Sequence, residues 1–89
     1  MTVEFDKSFI KSLQKTSDKQ VFQKVIQFIE QAEKSQELIS LKQVKKLTGF
    51  KNYYRLRLGD YRLGFSLINS KTIRLIILLH RKDFYKYFP

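Results

Sequence analysis

The 89-residue chain has no cysteine and no tryptophan, one histidine, three glycines, and one proline, which is the last residue. Without cysteine there is neither a disulfide nor a thiolate metal site, and one imidazole among scattered carboxylates argues against a zinc site. No metal and no cofactor is expected. With no internal proline and so few glycines there is no linker, and no segment repeats, so residues 1–89 read as one domain. The longest unbroken apolar run, Leu75–Leu79, is far too short to span a bilayer, and no charged-then-apolar leader opens the chain. A soluble cytoplasmic protein without membrane contact is the expectation.

Acidic residues are scarce as well, 8 against 18 Lys and Arg, for a formal net charge of +10. The imbalance is local. Residues 1–37 hold 6 Lys and 6 acidic residues, whereas residues 38–89 hold 12 Lys or Arg and 2 acidic residues. All five arginines (Arg55, Arg57, Arg62, Arg74 and Arg81) lie in the second half, where Asp60 and Asp83 are the acids. Salt bridges within that half cannot absorb them, so part of the basic surface is expected to meet an external anion. A hydrophobic content of 43% with 8 Phe and 5 Tyr excludes a disordered basic tail. The cations sit on a folded body.

Thr2-Val3-Glu4-Phe5 alternates as a short strand does, with Val3 and Phe5 inward. Asp6 is placed to cap a helix reaching about Lys15, with Phe9, Ile10 and Leu13 on one side. Ser17-Asp18-Lys19-Gln20 has the capping-box form, with Ser17 as the cap. It opens a second helix whose Val21, Phe22, Val25, Ile26, Phe28, Ile29 and Ala32 recur at helical spacing. Both helices fall in the neutral half. Beyond them Val44–Leu47 has strand character and Gly49–Asn52 is a turn. Residues 53–58 and 61–67 alternate with period 2 about Gly59-Asp60, which suits a type II′ hairpin. Asn69–Lys71 is a tight connection into Ile73–Leu79, an apolar strand expected to be central and covered on both faces. Asp83–Phe88 forms a short terminal helix or tail whose aromatic residues need a surface to rest on. The pattern specifies an α+β fold: a short N-terminal strand, a two-helix hairpin on a small, mainly antiparallel twisted sheet, and a short C-terminal helix or tail.

A two-residue loop at Gly59-Asp60 sets Leu58 opposite Tyr61, Arg57 opposite Arg62, Leu56 opposite Leu63 and Arg55 opposite Gly64. Parity then sends Tyr54, Leu56, Leu58, Tyr61, Leu63 and Phe65 toward the helices and gathers Arg55, Arg57 and Arg62 on the other face. Like charges opposed across strands cost a few tenths to about 1 kcal/mol. A bound polyanion would relieve that. A three-residue connection at Asn69–Lys71 pairs Ser66 with Arg74 and Arg62 with Leu78. It carries Arg74 and His80 to the arginine face, with Arg81 beside Arg62 and Tyr85 within reach; a two-residue connection would turn Arg74 into the core. Several positions admit two readings. Tyr53 and Tyr85 are either packing residues with wet hydroxyls or nucleotide contacts; Lys45 and Lys46 are either solvated or phosphate ligands; Gly64 marks either a bend or room for a ligand.

Two stretches carry a resemblance: LTGFKNYYRLRLGDYRLGFSL at residues 47–67 and HRKDFY at residues 80–85. Together they resemble the RelE/ParE toxin superfamily, most of all its RelE branch, and the shared plan covers nearly the whole chain. The resemblance implies the toxin of a type II toxin-antitoxin pair, a ribosome-dependent endoribonuclease that cuts mRNA in the decoding site without a metal. It implies attack by the RNA's own 2′-hydroxyl, leaving a cyclic phosphate and a 5′-hydroxyl. On this reading Arg62, Arg81, Tyr85 and His80 form the catalytic set, and Arg55, Arg57, Lys46, Lys51, Tyr53 and Arg74 contact RNA. Arg55 and Arg57 stand where the best-known toxin of the branch has lysine, and arginine stays protonated, so base work falls to Tyr85 or His80. The implied partners are a cognate antitoxin, the ribosome and mRNA, with the free toxin a monomer that forms a hetero-oligomer with its antitoxin. Two other readings remain: a ParE-like inhibitor of DNA gyrase on the same fold, and a basic RNA- or ribosome-binding module without activity, which composition alone favours.

Overall fold

The computed structural model describes all 89 residues, the side chain of Ile39 excepted. The elements run β1 (Thr2–Phe5), α1 (Lys7–Lys15), α2 (Lys19–Lys34), β2 (Val44–Lys46), β3 (Tyr53–Leu58), β4 (Tyr61–Asn69), β5 (Thr72–His80) and α3 (Arg81–Tyr87), with a 3-10 turn at Leu38–Ser40. The strands form one sheet in the order β1-β5-β4-β3-β2, parallel between β1 and β5 and antiparallel elsewhere. This is the expected α+β plan. β4 holds the middle of the sheet, and the more apolar β5 lies between β4 and β1.

Asp6 caps α1, its carboxylate accepting from the Ser8 amide at 3.1 Å. The cap of α2 is Asp18 rather than Ser17: its carboxylate accepts from the amides of Gln20 and Val21 at 2.9 and 3.3 Å. A charged acceptor serving two amides at the positive end of a helix outcompetes a hydroxyl. Val21, Val25, Phe28 and Ala32 form the buried seam of α2, which packs with Phe9 of α1 on Leu56, Leu58, Leu63, Phe65, Ile73, Leu75 and Leu78. Phe22 and Ile26, one residue round from the seam, stay at the surface, as do Ile10 and Phe5. Their apolar period was wider than the contact it had to fill.

The pairing of β4 with β5 shifts register twice, once by an extra residue in each strand. Near the connection Leu67 opposes Ile73 and Asn69 opposes Thr72, so Ile68 is an extra residue and the turn is Ser70-Lys71, two residues instead of the expected three. The extra residue restores parity: Ser66 still opposes Arg74, which remains exposed. Farther along, Gly64 opposes Ile77 while Phe65 opposes Leu75, leaving Ile76 unpaired. Arg62 therefore faces Leu79 instead of Leu78, and His80 faces Tyr61. Every residue of β5 after Ile76 lies on the face opposite to that of an unbroken strand.

Helix α1 makes the second break tolerable. β1 pairs with β5 only as far as Leu75, so the outer edge of β5 beyond that point has no neighbouring strand. Ser8 and Ser12, one helical turn apart, take its place. The Ser8 hydroxyl lies 2.6 Å from the Ile76 carbonyl oxygen, and the Ser12 hydroxyl accepts from the Leu78 amide at 2.9 Å while donating to the Phe9 carbonyl at 2.8 Å. Backbone groups that would otherwise be buried without partners are satisfied.

Candidate nucleic-acid interface

The β3–β4 hairpin closes in the expected register about Gly59, whose φ of +64° suits the turn. Arg57 opposes Arg62 and Arg55 opposes Gly64, all on the face away from α1 and α2. β2 extends the row, because Lys45 opposes Arg55. Two cation pairs, Lys45 with Arg55 and Arg57 with Arg62, thus stand across neighbouring strands, and no carboxylate occupies a facing position between them. Arg62 is half-buried and turns its guanidinium to the carbonyls of Gly59 and Tyr61, at 2.7 and 2.9 Å. Those bonds satisfy donors without neutralising the charge.

The chain returns to the same turn at the start of α3, where the Arg81 amide donates to the Asp60 carbonyl at 2.7 Å. Its guanidinium Nε lies 3.9 Å from the Asp60 carboxylate, both groups being exposed. From there α3 crosses the arginine face, and its aromatic residues find the surface they need. Phe84 and Phe88 are buried with ring centroids 5.2 Å apart, and Phe88 meets Tyr53 edge-on at 5.5 Å. Gly64 is the seat of Phe88, since a Cβ there would lie 2.8 Å from the ring. The room at Gly64 is therefore used by the chain itself rather than by a ligand.

Between the far end of α3 and the 47–50 loop lies a groove of about 610 Å³, lined by Lys45, Lys46, Arg55, Lys86, Phe50 and Tyr85 among others, and by no acidic residue. Tyr85 is 57% exposed and Phe50 47%. Cations beside exposed rings offer phosphate contacts and stacking surfaces together, the combination that single-stranded RNA uses.

The residues singled out in the sequence divide along this face. Arg57, Arg62 and Arg81 gather at the Gly59-Asp60 turn; Arg55, Lys46 and Tyr85 line the groove. Tyr85 follows Arg81 by one turn of α3, a rise of about 6 Å, so the two groups form one strip. Tyr53 is half-buried between Phe50 and Phe88, with centroids at 6.1 and 5.5 Å; Lys51 is exposed on the 47–52 loop outside the groove. The expected placement of His80 beside Arg62 is corrected. The bulge at Ile76 turns it to the helix side, edge-on to Tyr61 at 5.5 Å, and its Nδ1 accepts from the Lys82 amide at 3.2 Å as the cap of α3.

Arg74 is also drawn away from the strip. Parallel pairing sets Glu4 beside it, and its guanidinium lies 3.9 Å from the Glu4 carboxylate and 3.5 Å from that of Asp6. The partners missing from the basic half come from β1 and from the cap of α1 that follows it. The Asp6 carboxyl is held below its ordinary value of 3.8, first by the Ser8 hydroxyl and amide bonded to it and then by Arg74. Lys45, one of the two lysines open to a phosphate reading, joins the groove with Phe50 and Lys86, which the sequence does not single out. The pairing of Lys45 depends on the length of the 47–52 loop, which carries no fixed turn signature. Lys86 was readable as one more cation next to Tyr85.

The model of the ParE toxin of type II toxin-antitoxin systems matches residues 3–85. The toxin RelE3 of Methanocaldococcus jannaschii is 40% identical over the full length of both chains. Among solved structures, the RelB-RelE antitoxin-toxin complex from Methanococcus jannaschii has a chain 37% identical, with a TM-score of 0.80 over 97% of this chain and 99% of that one. A chain of the archaeal RelE-RelB complex from Pyrococcus horikoshii is 29% identical, with a TM-score of 0.70 over 90% of this chain and 93% of that one.

Proposed function

The chain belongs to the RelE/ParE family of toxins of type II toxin-antitoxin systems, and from that premise we propose that its toxic act is ribosome-dependent cleavage of mRNA. The observation that supports this reading is the strip itself: strand cations opposed in pairs, Lys45 with Arg55 and Arg57 with Arg62, with no acid facing them across the strands. Beside them Arg81, whose carboxylate neighbour is the exposed Asp60, leads to an exposed phenol in a cationic groove. A protein that only had to fold would gain by placing acids there.

The reaction needs little more than such a strip. The 2′-hydroxyl gives up its proton, its oxygen bonds to phosphorus, the bond from phosphorus to the 5′ oxygen breaks, and that oxygen takes a proton. A cyclic phosphate and a 5′-hydroxyl result. Negative charge builds on the non-bridging oxygens, where Arg62 and Arg81 act as fixed cations and do not move protons. Lys45, Lys46 and Arg55 hold the flanking phosphates. The proton transfers fall to Tyr85, whose exposed phenol both donates and accepts hydrogen bonds and whose ring is free to lie against a base. His80, facing the helices and capping α3, orients the helix that carries Tyr85 and does not meet the phosphate.

The match to the ParE toxin model favours a second reading, inhibition of DNA gyrase by the same strip acting only as a polyanion mimic's counterpart or a protein-binding surface. Mapping mRNA 5′ ends in a purified translating-ribosome system separates the two. New ends within ribosome-covered codons are expected; intact mRNA together with blocked supercoiling by gyrase would overturn the nuclease reading.

A further inference from the structure

We propose that Phe50 and Tyr85 form a two-ring clamp that holds two successive unpaired bases of the RNA at the cationic groove and takes purines over pyrimidines. The inference deepens the nuclease reading and rests on it for the identity of the substrate. Phe50 stands on the 47–52 loop and Tyr85 on α3, so each wall of the groove supplies one exposed ring. A single exposed ring is ordinary surface. These two are tied together. Phe50 meets Tyr53 edge-on with ring centroids 6.1 Å apart, Tyr53 meets Phe88 at 5.5 Å, Phe88 meets Phe84 at 5.2 Å, and Phe84 meets Tyr85 edge-on at 5.0 Å. Phe84 and Phe88 are buried, and Phe88 has its seat at Gly64. A chain of five rings thus runs from one wall of the groove to the other.

The loop holds its end of that chain with backbone bonds. The Leu47 amide donates to the Tyr53 carbonyl at 2.8 Å and the Phe50 amide to the Leu47 carbonyl at 3.3 Å, with Gly49 at a φ of +83° in the turn. Two rings held in place suit flat partners. The charged side chains that line the groove, Lys45, Lys46, Arg55 and Lys86, are all cations, which meet phosphates and carry no base identity. Discrimination then falls to stacking, which favours the larger face of adenine or guanine. A duplex keeps its bases stacked on one another and offers the clamp nothing. An acidic peptide would engage the cations and leave two flat faces unmatched.

The test titrates three labelled probes into the full chain by fluorescence anisotropy at one salt concentration: a short oligouridylate, the same oligomer with two adjacent central adenines, and an oligoglutamate of equal charge. The parent is expected to bind the adenine-bearing oligomer several-fold more tightly than oligouridylate. Phe50→Leu keeps apolar bulk and removes the flat face; it is expected to weaken the adenine-bearing oligomer about tenfold, to shrink its advantage over oligouridylate, and to leave oligoglutamate binding unchanged. Phe50→Trp keeps the advantage. Tyr53→Leu, which removes the prop under Phe50, gives a smaller loss in the same direction, and Tyr53→Phe keeps the parent's ratio. No oligonucleotide binding by the parent, the same adenine-to-uridine ratio in the parent and Phe50→Leu, or an equal loss of oligoglutamate binding in Phe50→Leu would each overturn the proposal. Because these measurements need neither ribosome nor cleavage, absence of mRNA cleavage by the parent with the binding results as expected would count against the nuclease reading alone. Cleavage by the parent with an unchanged ratio in Phe50→Leu would count against the clamp alone.

Discussion

The two faces of one sheet are finished differently. On the helix side Leu56, Leu58, Leu63, Phe65, Leu75 and Leu78 are all buried, and no charged side chain sits among them. On the other side Lys45, Arg55, Arg57 and Arg62 share the surface with one short helix whose Phe84 and Phe88 cover only the middle. The first face meets its partners within the chain; the second keeps like charges opposed and an open groove beside them. Stability comes chiefly from the face that is filled, and the RNA contacts proposed above lie on the face that is not.

Removing Arg62 tests that division most severely. Arg62→Ala deletes a cation from the strip and leaves the helix-side core intact. A fall of about 10²- to 10³-fold in mRNA cleavage is expected, with stability changing by no more than about 1.5 kcal/mol from its two carbonyl bonds. Cleavage rates on programmed ribosomes and a urea melt check the two halves. Full cleavage by the variant would remove Arg62 from the chemistry.

The next largest effect concerns the one place where the second face is closed. Gly64→Ala puts a methyl 2.8 Å from the Phe88 ring, which has to leave its seat. A loss of about 1 to 3 kcal/mol is expected, most of it absent when the same change is made in a Phe88→Ala background. Additive losses in the double variant would show that Phe88 is not what Gly64 accommodates.

How far the sequence was legible follows from the same contrast. The hairpin register was readable because alternation on both sides of a two-residue turn admits one pairing, and it placed Arg57 opposite Arg62. β5 was not, because a run of Leu and Ile carries no alternation to reveal that Ile76 is extra. His80 was misplaced for that reason. The acids beside Arg74 lie about seventy positions earlier, and only the parallel pairing of β1 with β5 brings them near. The Phe88 seat was written as a glycine with two meanings.

Ser12 probes the device that sets the break in β5. Ser12→Ala leaves the buried Leu78 amide without its acceptor, an expected loss of about 1 to 3 kcal/mol. Hydrogen exchange read at Leu78 distinguishes this from general loosening: that amide is expected to lose more protection than its neighbours on β4. Uniform loss across the sheet would mean that Ser12 only fills space.

The smallest effects carry the sharpest sign. Arg57 and Arg74 are both exposed strand arginines, but Arg57 faces Arg62 whereas Arg74 has Glu4 and Asp6. Arg57→Ala removes repulsion and is expected to stabilise the chain by a few tenths to about 1 kcal/mol, while weakening RNA binding and its salt dependence. Arg74→Ala removes attraction and is expected to destabilise slightly, since exposed pairs contribute little. The two also part with pH. The Asp6 carboxyl titrates below 3.8 in the folded chain, so its stabilising contribution is whole above that value and is lost as the pH falls through the lowered one. The small penalty of Arg74→Ala therefore fades in acid, and the gain from Arg57→Ala does not. Paired melts at neutral and strongly acidic pH read both signs. If the variants shift stability in the same direction at neutral pH, the arginine face is ordinary solvated surface, and the distinction between the two faces fails.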